Sequence, residues 1–201
     1  GAGRRPSAMA RISAGLGGVA RIRDDPTIMS RVLDQDQGFA LPPGMFPRDA
    51  GWTCYLAWSR PAPRSGTGRD ADPSVLLKDG TRVVLCVQEG PSGATLLLHP
   101  DSARVELAPL TRSHTHTVVL RHQPGGGVDV WLDDTQVASS CPLPSGDPGA
   151  GPSLLLHDGF PSGGAQCWFH EAAIWSCRLS DAAVTTVLRH AGRWARGPRR
   201  S

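Results

Sequence analysis

The sequence has one lysine, Lys78, one tyrosine, Tyr55, and three glutamates, Glu89, Glu106 and Glu171. It also lacks any stretch of about 18 apolar residues, so it holds no candidate transmembrane helix. Scarce Glu and Lys, beside 24 Gly and 18 Pro in 201 residues, exclude a long helical bundle or coiled coil. Gly and Pro break helix interiors, and such folds are written in Ala, Glu, Lys and Leu. The glycines and prolines keep no triplet period, which excludes a collagen-like chain. No C-x-x-C pair, G-x-S-x-G, P-loop or H-E-x-x-H motif occurs, so the common zinc, acyl-transfer and nucleotide signatures are missing.

What is present is enough for one core. The hydrophobic fraction is 39% and includes six Trp, which excludes wholesale disorder. A single turn-rich globular domain of all-β class follows. The formal net charge is +3, too small for a nucleic-acid-binding surface. The basic residues gather at the ends. Arg4, Arg5, Arg11, Arg21 and Arg23 precede the first acid, Asp24, and Arg189, Arg193, Arg196, Arg199 and Arg200 follow the last, Asp181. Either both termini dock on an acidic partner or both are solvated tails.

The five cysteines, Cys54, Cys86, Cys141, Cys167 and Cys177, are odd in number and fit no zinc spacing. Cys54 and Cys86 sit in apolar runs, where a free thiol acts as a small hydrophobe. Most are read as reduced core residues; a Cys141–Cys167 or Cys167–Cys177 bridge is the alternative in an oxidising compartment. No secretory signal is visible, since Ile12 to Ala20 is short and broken by Gly. The expectation is cytoplasmic synthesis or a signal already removed, with the product at a particle surface or outside the cell.

Residues 1–30 show no strong periodicity and read as an N-terminal arm, 31–192 as the domain, and 193–201 as a basic tail. Within the domain, W-T-C-Y-L-A-W from Trp52 to Trp58 alternates and predicts a half-buried strand. A polar loop from Arg60 to Pro73 leads to a hairpin of Ser74–Lys78 and Arg82–Gln88 turning at Asp79-Gly80. Further strands are predicted over Ala94–His99, Arg104–Leu107, Thr115–Arg121, Val128–Leu132, Thr135–Ala138, Ser153–His157 and Cys167–Ser176, about ten in all. One helix follows. Ser180 suits its N-cap and Asp181 its first turn; Val184, Val187, Leu188 and Ala191 share a face, and Gly192 suits the residue just past its end.

Four stretches in this order resemble the laminin-G-like and concanavalin-A-like jelly-roll superfamily, with its pentraxin-like relatives. They are W-T-C-Y-L-A-W with the later V-L-L-K-D-G, then H-T-V-V-L-R-H-Q-P-G-G-G-V-D-V-W-L-D-D, then S-L-L-L-H-D-G-F, and finally Q-C-W-F-H-E-A-A-I-W-S-C-R-L-S-D-A-A-V. The last is the most specific, because strand, Trp, Arg, Leu-Ser and helix occur in one order. Asp134 stands where the family usually has Gly, and Ala183 where it usually has an acid. Cys54 matches the first partner of the pentraxin disulfide, but Thr115 to Arg121 holds no second one.

The resemblance implies an antiparallel β-sandwich of jelly-roll type with one short helix near the C-terminus. It implies a binding module for a glycan or another cell-surface ligand. The three isolated glutamates cannot form the E-x-D-x-E strand with which hydrolases of this fold place carboxylates on one face, so the expectation is a protein without enzymatic activity. Asp129 and Asp133 read as turn-adjacent acids, and His114 and His116 as structural. Calcium is the cation the resemblance implies, with Asp101, Asp158, Asp70 and Asp72 as candidate ligands. For the ligand, Trp168 offers a stacking platform beside Gln166 and His170, with Asp101 and Asp158 at the same rim. Trp52, Trp58, Trp131 and Trp175 read as core. A second reading makes the chain a subunit of a phage-like particle or other assembly, or a homo-oligomer, docked through Arg4, Arg5, Arg11, Trp194 and Arg196. A third makes it a module of an extracellular receptor. None of these readings calls for nucleic acid or membrane insertion.

Overall fold

The computed structural model describes residues 9–14, 20–23, 39–40, 46–59, 74–80, 82–90, 93–98, 104–111, 115–143, 154–155 and 168–195. Among them lie thirteen strands and one helix. The strands are β1 (Met9–Ala14), β2 (Ala20–Arg23), β3 (Phe39–Ala40), β4 (Trp52–Ser59), β5 (Ser74–Asp79), β6 (Arg82–Gly90) and β7 (Gly93–Leu98). They continue as β8 (Val105–Leu110), β9 (Thr115–Gln123), β10 (Gly127–Leu132), β11 (Thr135–Cys141), β12 (Leu154–Leu155) and β13 (Trp168–Trp175), and the helix α1 spans Asp181–Ala195. One sheet has the order β11-β10-β9-β4-β13-β1-β2 and the other β3-β12-β5-β6-β7-β8. Every neighbouring pair is antiparallel. The protein is an all-β antiparallel sandwich with a single helix.

The alternation in the sequence builds the core between the sheets. Trp52, Cys54, Leu56 and Trp58 of β4, Val118 and Leu120 of β9, and Val128, Val130 and Leu132 of β10 point inward. They meet Leu77, Leu85, Val87, Leu96 and Leu98 of the second sheet. Burial pushes the Cys54 thiol up to about 12, so it packs as a hydrophobe. Cys86 and Cys141 are also buried and Cys177 is half-buried, none of them in a disulfide; Cys167 lies outside the described residues.

β4 departs from the half-buried strand predicted for it. Its other face, Thr53, Tyr55 and Ala57, is buried too. The cover is α1, whose Val184 and Ala191 pack with Tyr55, Ala57, Val119, Trp131 and Ala173 into a second core, flanked by Val187 and Leu188. The helical spacing in the sequence therefore marks the face it buries. Ser180 caps α1 as predicted, its Oγ accepting from the Ala183 N–H at 3.3 Å. The helix runs on through Gly192 to Ala195, so Gly192 is an interior residue rather than the stop. Ala191 is 1% exposed, and burying that face outweighs the roughly 1 kcal/mol helix cost of one Gly.

The segment read as an arm supplies β1 and β2 to the seven-stranded sheet, β1 pairing with β13 from Met9↔Trp175 to Ser13↔Glu171. This pairing covers an edge of β13 that would otherwise stay open. The tail read from residue 193 likewise begins inside α1.

The loop between β9 and β10 requires glycine at one point. Gly127 has φ +83, and a Cβ there would stand 2.4 Å from the Cys141 carbonyl oxygen. Left-handed backbone and a backbone clash both oppose a side chain. Gly127→Ala is expected to lower unfolding free energy by about 2–4 kcal/mol, read as a shift of the urea midpoint. An unchanged midpoint would contradict the close β10–β11 approach.

Candidate functional site

A cleft of about 230 Å³ opens where one end of the seven-stranded sheet meets the second half of α1. Thr111, Thr115, His116, Thr117, Asp133 and Asp134 line it, with Leu188 and Gly192 of the helix. The β10–β11 turn shapes it. Asp133 is the left-handed residue of that turn, with φ 58, a conformation Asp tolerates better than most residues. This locates the left-handed residue one position before Asp134, where the resemblance placed the missing Gly.

The Asp133 carboxylate folds back on β9. Its Oδ1 accepts the Thr117 N–H at 2.9 Å, and its Oδ2 lies 3.2 Å from His116 Nδ1. The Asp133 N–H in turn donates to the Thr117 carbonyl at 2.7 Å. His116 Nε2 donates to the Thr111 carbonyl at 2.9 Å. Both ring nitrogens thus lie within hydrogen-bond reach of groups that shape the cleft, one on the turn and one at the end of β8. His116 is 5% exposed and works as a strut between the end of β8, β9 and the turn, a positioning role. The half-buried Thr115, exposed Thr111 and exposed Asp134 complete the polar wall. Asp134 Oδ1 accepts from the Thr135 hydroxyl at 3.2 Å. Leu188 gives an apolar wall, and beside Gly192 there is open space where a side chain would stand. Hydroxyls, a carboxylate and one apolar wall suit a small, many-hydroxyl ligand.

The helix wall of the cleft is held by a buried cation on the same sheet face. Arg121 is 5% exposed. It donates to Asp129 Oδ2 from Nε at 3.3 Å and Nη2 at 2.9 Å, to the Leu179 carbonyl at 3.3 Å, and to Asp181 Oδ1. Its guanidinium carbon lies 4.9 Å from the Trp131 ring centroid. Burial favours a neutral Arg121, but the two carboxylates outweigh this and raise its pKa. Burial likewise raises Asp129, yet the Ser140 N–H and Arg121 overcome it and leave the carboxyl below its usual range. Asp181 is lowered by its hydrogen bond to Arg121. Thr53, directly across from Arg121 on β4, donates to the Cys177 carbonyl at 3.1 Å and accepts the Leu179 N–H at 3.0 Å. At the far end of the sandwich His122 stacks on Trp52 at 5.3 Å. Burial lowers its pKa, partly offset by its hydrogen bond to the Ala50 carbonyl.

Gln166, Asp101, Asp158, Asp70, Asp72, Arg4, Arg5 and Arg196 lie outside the described residues. The backbone places Trp168 opposite Ser59 at the start of β13, His170 at the irregular step between Phe169 and Glu171, Arg11 on β1 opposite Ala173 and Arg23, and Trp194 in α1. Among the described residues no group of three His, Cys, Asp or Glu is placed to hold a metal ion. Trp52, Trp58 and Trp131 are core, as expected. Sequence reasoning met Asp133 and His116 but assigned neither to a cleft, and it did not single out Thr111, Thr115 or Thr117. The Asp-Asp turn after a Val-x-Val-Trp-Leu strand was the one available signal.

No family model and no curated protein matches the chain. Solved structures do. Trypanosoma rangeli sialidase in complex with sialic acid aligns over 89% of this chain and 32% of its own, with TM-score 0.57 and 12% identity. The same sialidase with 2,3-difluorosialic acid, a covalent intermediate, gives 0.58 at 12% over the same shares. The botulinum neurotoxin type G receptor binding domain gives 0.55 at 8%, over 92% of this chain and 51% of its own. The chain thus spans about a third of the sialidases and half of the toxin domain, and the likeness is one of fold. It corrects one expectation: chains carrying this fold include enzymes, so the prediction of a protein without enzymatic activity does not stand.

The ionic cluster sets a pH dependence. Asp129 and Asp181 titrate lower in the fold than unfolded, so their contribution is present above about pH 4 and is lost as pH falls through their folded values. His122, depressed from about 6.5, adds a contribution that is likewise lost on acidification. Urea midpoints are expected to fall below about pH 6.5 and more steeply below about pH 4. His122→Phe should flatten the upper part only. Arg121→Met should cost about 3 kcal/mol at pH 7, because it leaves Asp129 without its cation. A midpoint flat from pH 7 to 3 would overturn this account.

Proposed function

We propose that the chain is a carbohydrate-binding module of the laminin-G-like, concanavalin-A-like superfamily, with its sugar seated in the cleft between α1 and the β10–β11 turn. The observation that carries this reading is the cleft's lining: among the described residues, three threonines and two aspartates stand beside a leucine wall. Sugars present hydroxyls on their edges and C–H groups on their faces, which such a lining complements. The ordered motifs from Trp52 to Val184 support the superfamily. The neighbours add support from the names they carry, one holding sialic acid and one being a receptor binding domain.

A glycan array with and without calcium chelation tests the proposal. Binding to a defined set of glycans is expected, and Asp134→Ala should weaken it about tenfold, the worth of a hydrogen bond to a charged group. Loss on chelation would assign a calcium-dependent site. No glycan bound in either condition would sink the reading.

A further inference from the structure

The helix wall of the cleft carries a glycine where helix packing favours a side chain. Gly192 lies inside α1, which continues to Ala195, and it lines the cleft together with Leu188. Glycine is the poorest helix former after proline, because its backbone loses the most freedom on folding. At Gly127 the structure explains that choice, through a left-handed φ and a Cβ that would stand 2.4 Å from a carbonyl oxygen. Neither reason is present among the described residues at Gly192. Its backbone is right-handed helix, and a Cβ there would meet no heavy atom of the described residues within 4 Å. We infer that Gly192 is a specificity-determining residue of the cleft: its bare backbone gives a sugar ring room to lie with its C–H face along Leu188.

Residues four apart share one side of a helix, so Leu188 and Gly192 present one continuous strip to the cleft. The other described lining residues, among them Thr111, Thr115, Asp133 and Asp134, come from the end of β8, from β9 and from the β10–β11 turn. A pyranose is amphipathic in the matching way, with C–H groups on its faces and hydroxyls around its edge. Its face packs on the strip while its edge meets threonine hydroxyls, which donate and accept, and carboxylates, which accept. A side chain at position 192 takes the space the ring uses. The alanine that would strengthen α1 would therefore weaken binding, a trade of stability for access. The inference rests on the carbohydrate reading above.

The test repeats the glycan array as a concentration series with the parent protein, Gly192→Ala and Gly192→Leu, and unfolds each in urea. Ala and Leu are better helix formers than Gly, so the urea midpoints are expected to hold or rise. Binding is expected to move the other way. It should be about tenfold weaker in Gly192→Ala, the effect of one carbon too many in a fitted pocket, and lost in Gly192→Leu. A glycine needed only for the fold would lower both readouts together. Array binding by Gly192→Ala equal to the parent's overturns this inference and leaves the carbohydrate reading intact. A urea midpoint that falls in Gly192→Ala also overturns it, because packing would then require the glycine. A parent protein that binds no glycan overturns the two readings together. Gly192→Ala, which adds a single carbon, carries the decision if Gly192→Leu does not fold.

Discussion

A cation buried against a sheet has to be answered where it stands, and in this protein the answer fixes where the helix begins. Arg121 lies in one cross-strand row with Thr53 and Asp129. Asp129 neutralises it from within the sheet; Asp181 and the Leu179 carbonyl reach it from the first turn of α1 and the linker before it. Thr53 secures the same linker from the neighbouring strand. An unpaired buried charge costs several kcal/mol, so a register of α1 that drew Asp181 away would also cost part of the cation's compensation. With its start fixed, the helix lays Val184 and Ala191 on the sheet and sets Leu188 and Gly192 beside the β10–β11 turn. The cleft is thus a consequence of packing at the opposite end of the helix.

The sandwich was legible in the sequence wherever the cause was local. β4 and β9 alternate, the Asp79-Gly80 and Gly125–Gly127 turns carry the residues that left-handed backbone needs, and α1 shows both its cap and its apolar face. The second burial of β4 was not legible, because Thr53, Tyr55 and Ala57 read as an ordinary outer face until α1 covers them. β1 and β2 were missed for a related reason. M-A-R-I-S-A has no strong alternation of its own, and its strand state depends on the edge of β13, more than 150 residues away. The end of α1 was misplaced because a Gly signals a stop by local preference, while the packing of Ala191 carries the helix beyond it.

The candidate site was less legible than the fold. His116 and Asp133 are 17 residues apart and become partners because the β9–β10 hairpin sets Leu132 opposite Val118. Thr111 joins through a carbonyl, which no side-chain pattern reports. Residue type alone draws attention to tryptophan, as a stacking platform, and to aspartates after histidine-ended strands, as oxygen ligands. The cleft that formed is built from threonines, whose part depends on which strand ends are brought together.

The fold likeness and the cleft therefore answer different questions. At 12% identity to the sialidase with sialic acid and 8% to the toxin domain, the likeness is one of fold, and in a two-sheet core hydrophobic volume decides and many sequences serve. The cleft lies outside that core, where the helix meets the end of a single sheet, and its lining can change without disturbing the inward rows of β4, β9 and β10. Its chemistry must be read from this chain's own residues. His116 has both ring nitrogens within hydrogen-bond reach of groups that hold the turn, so it orients the wall.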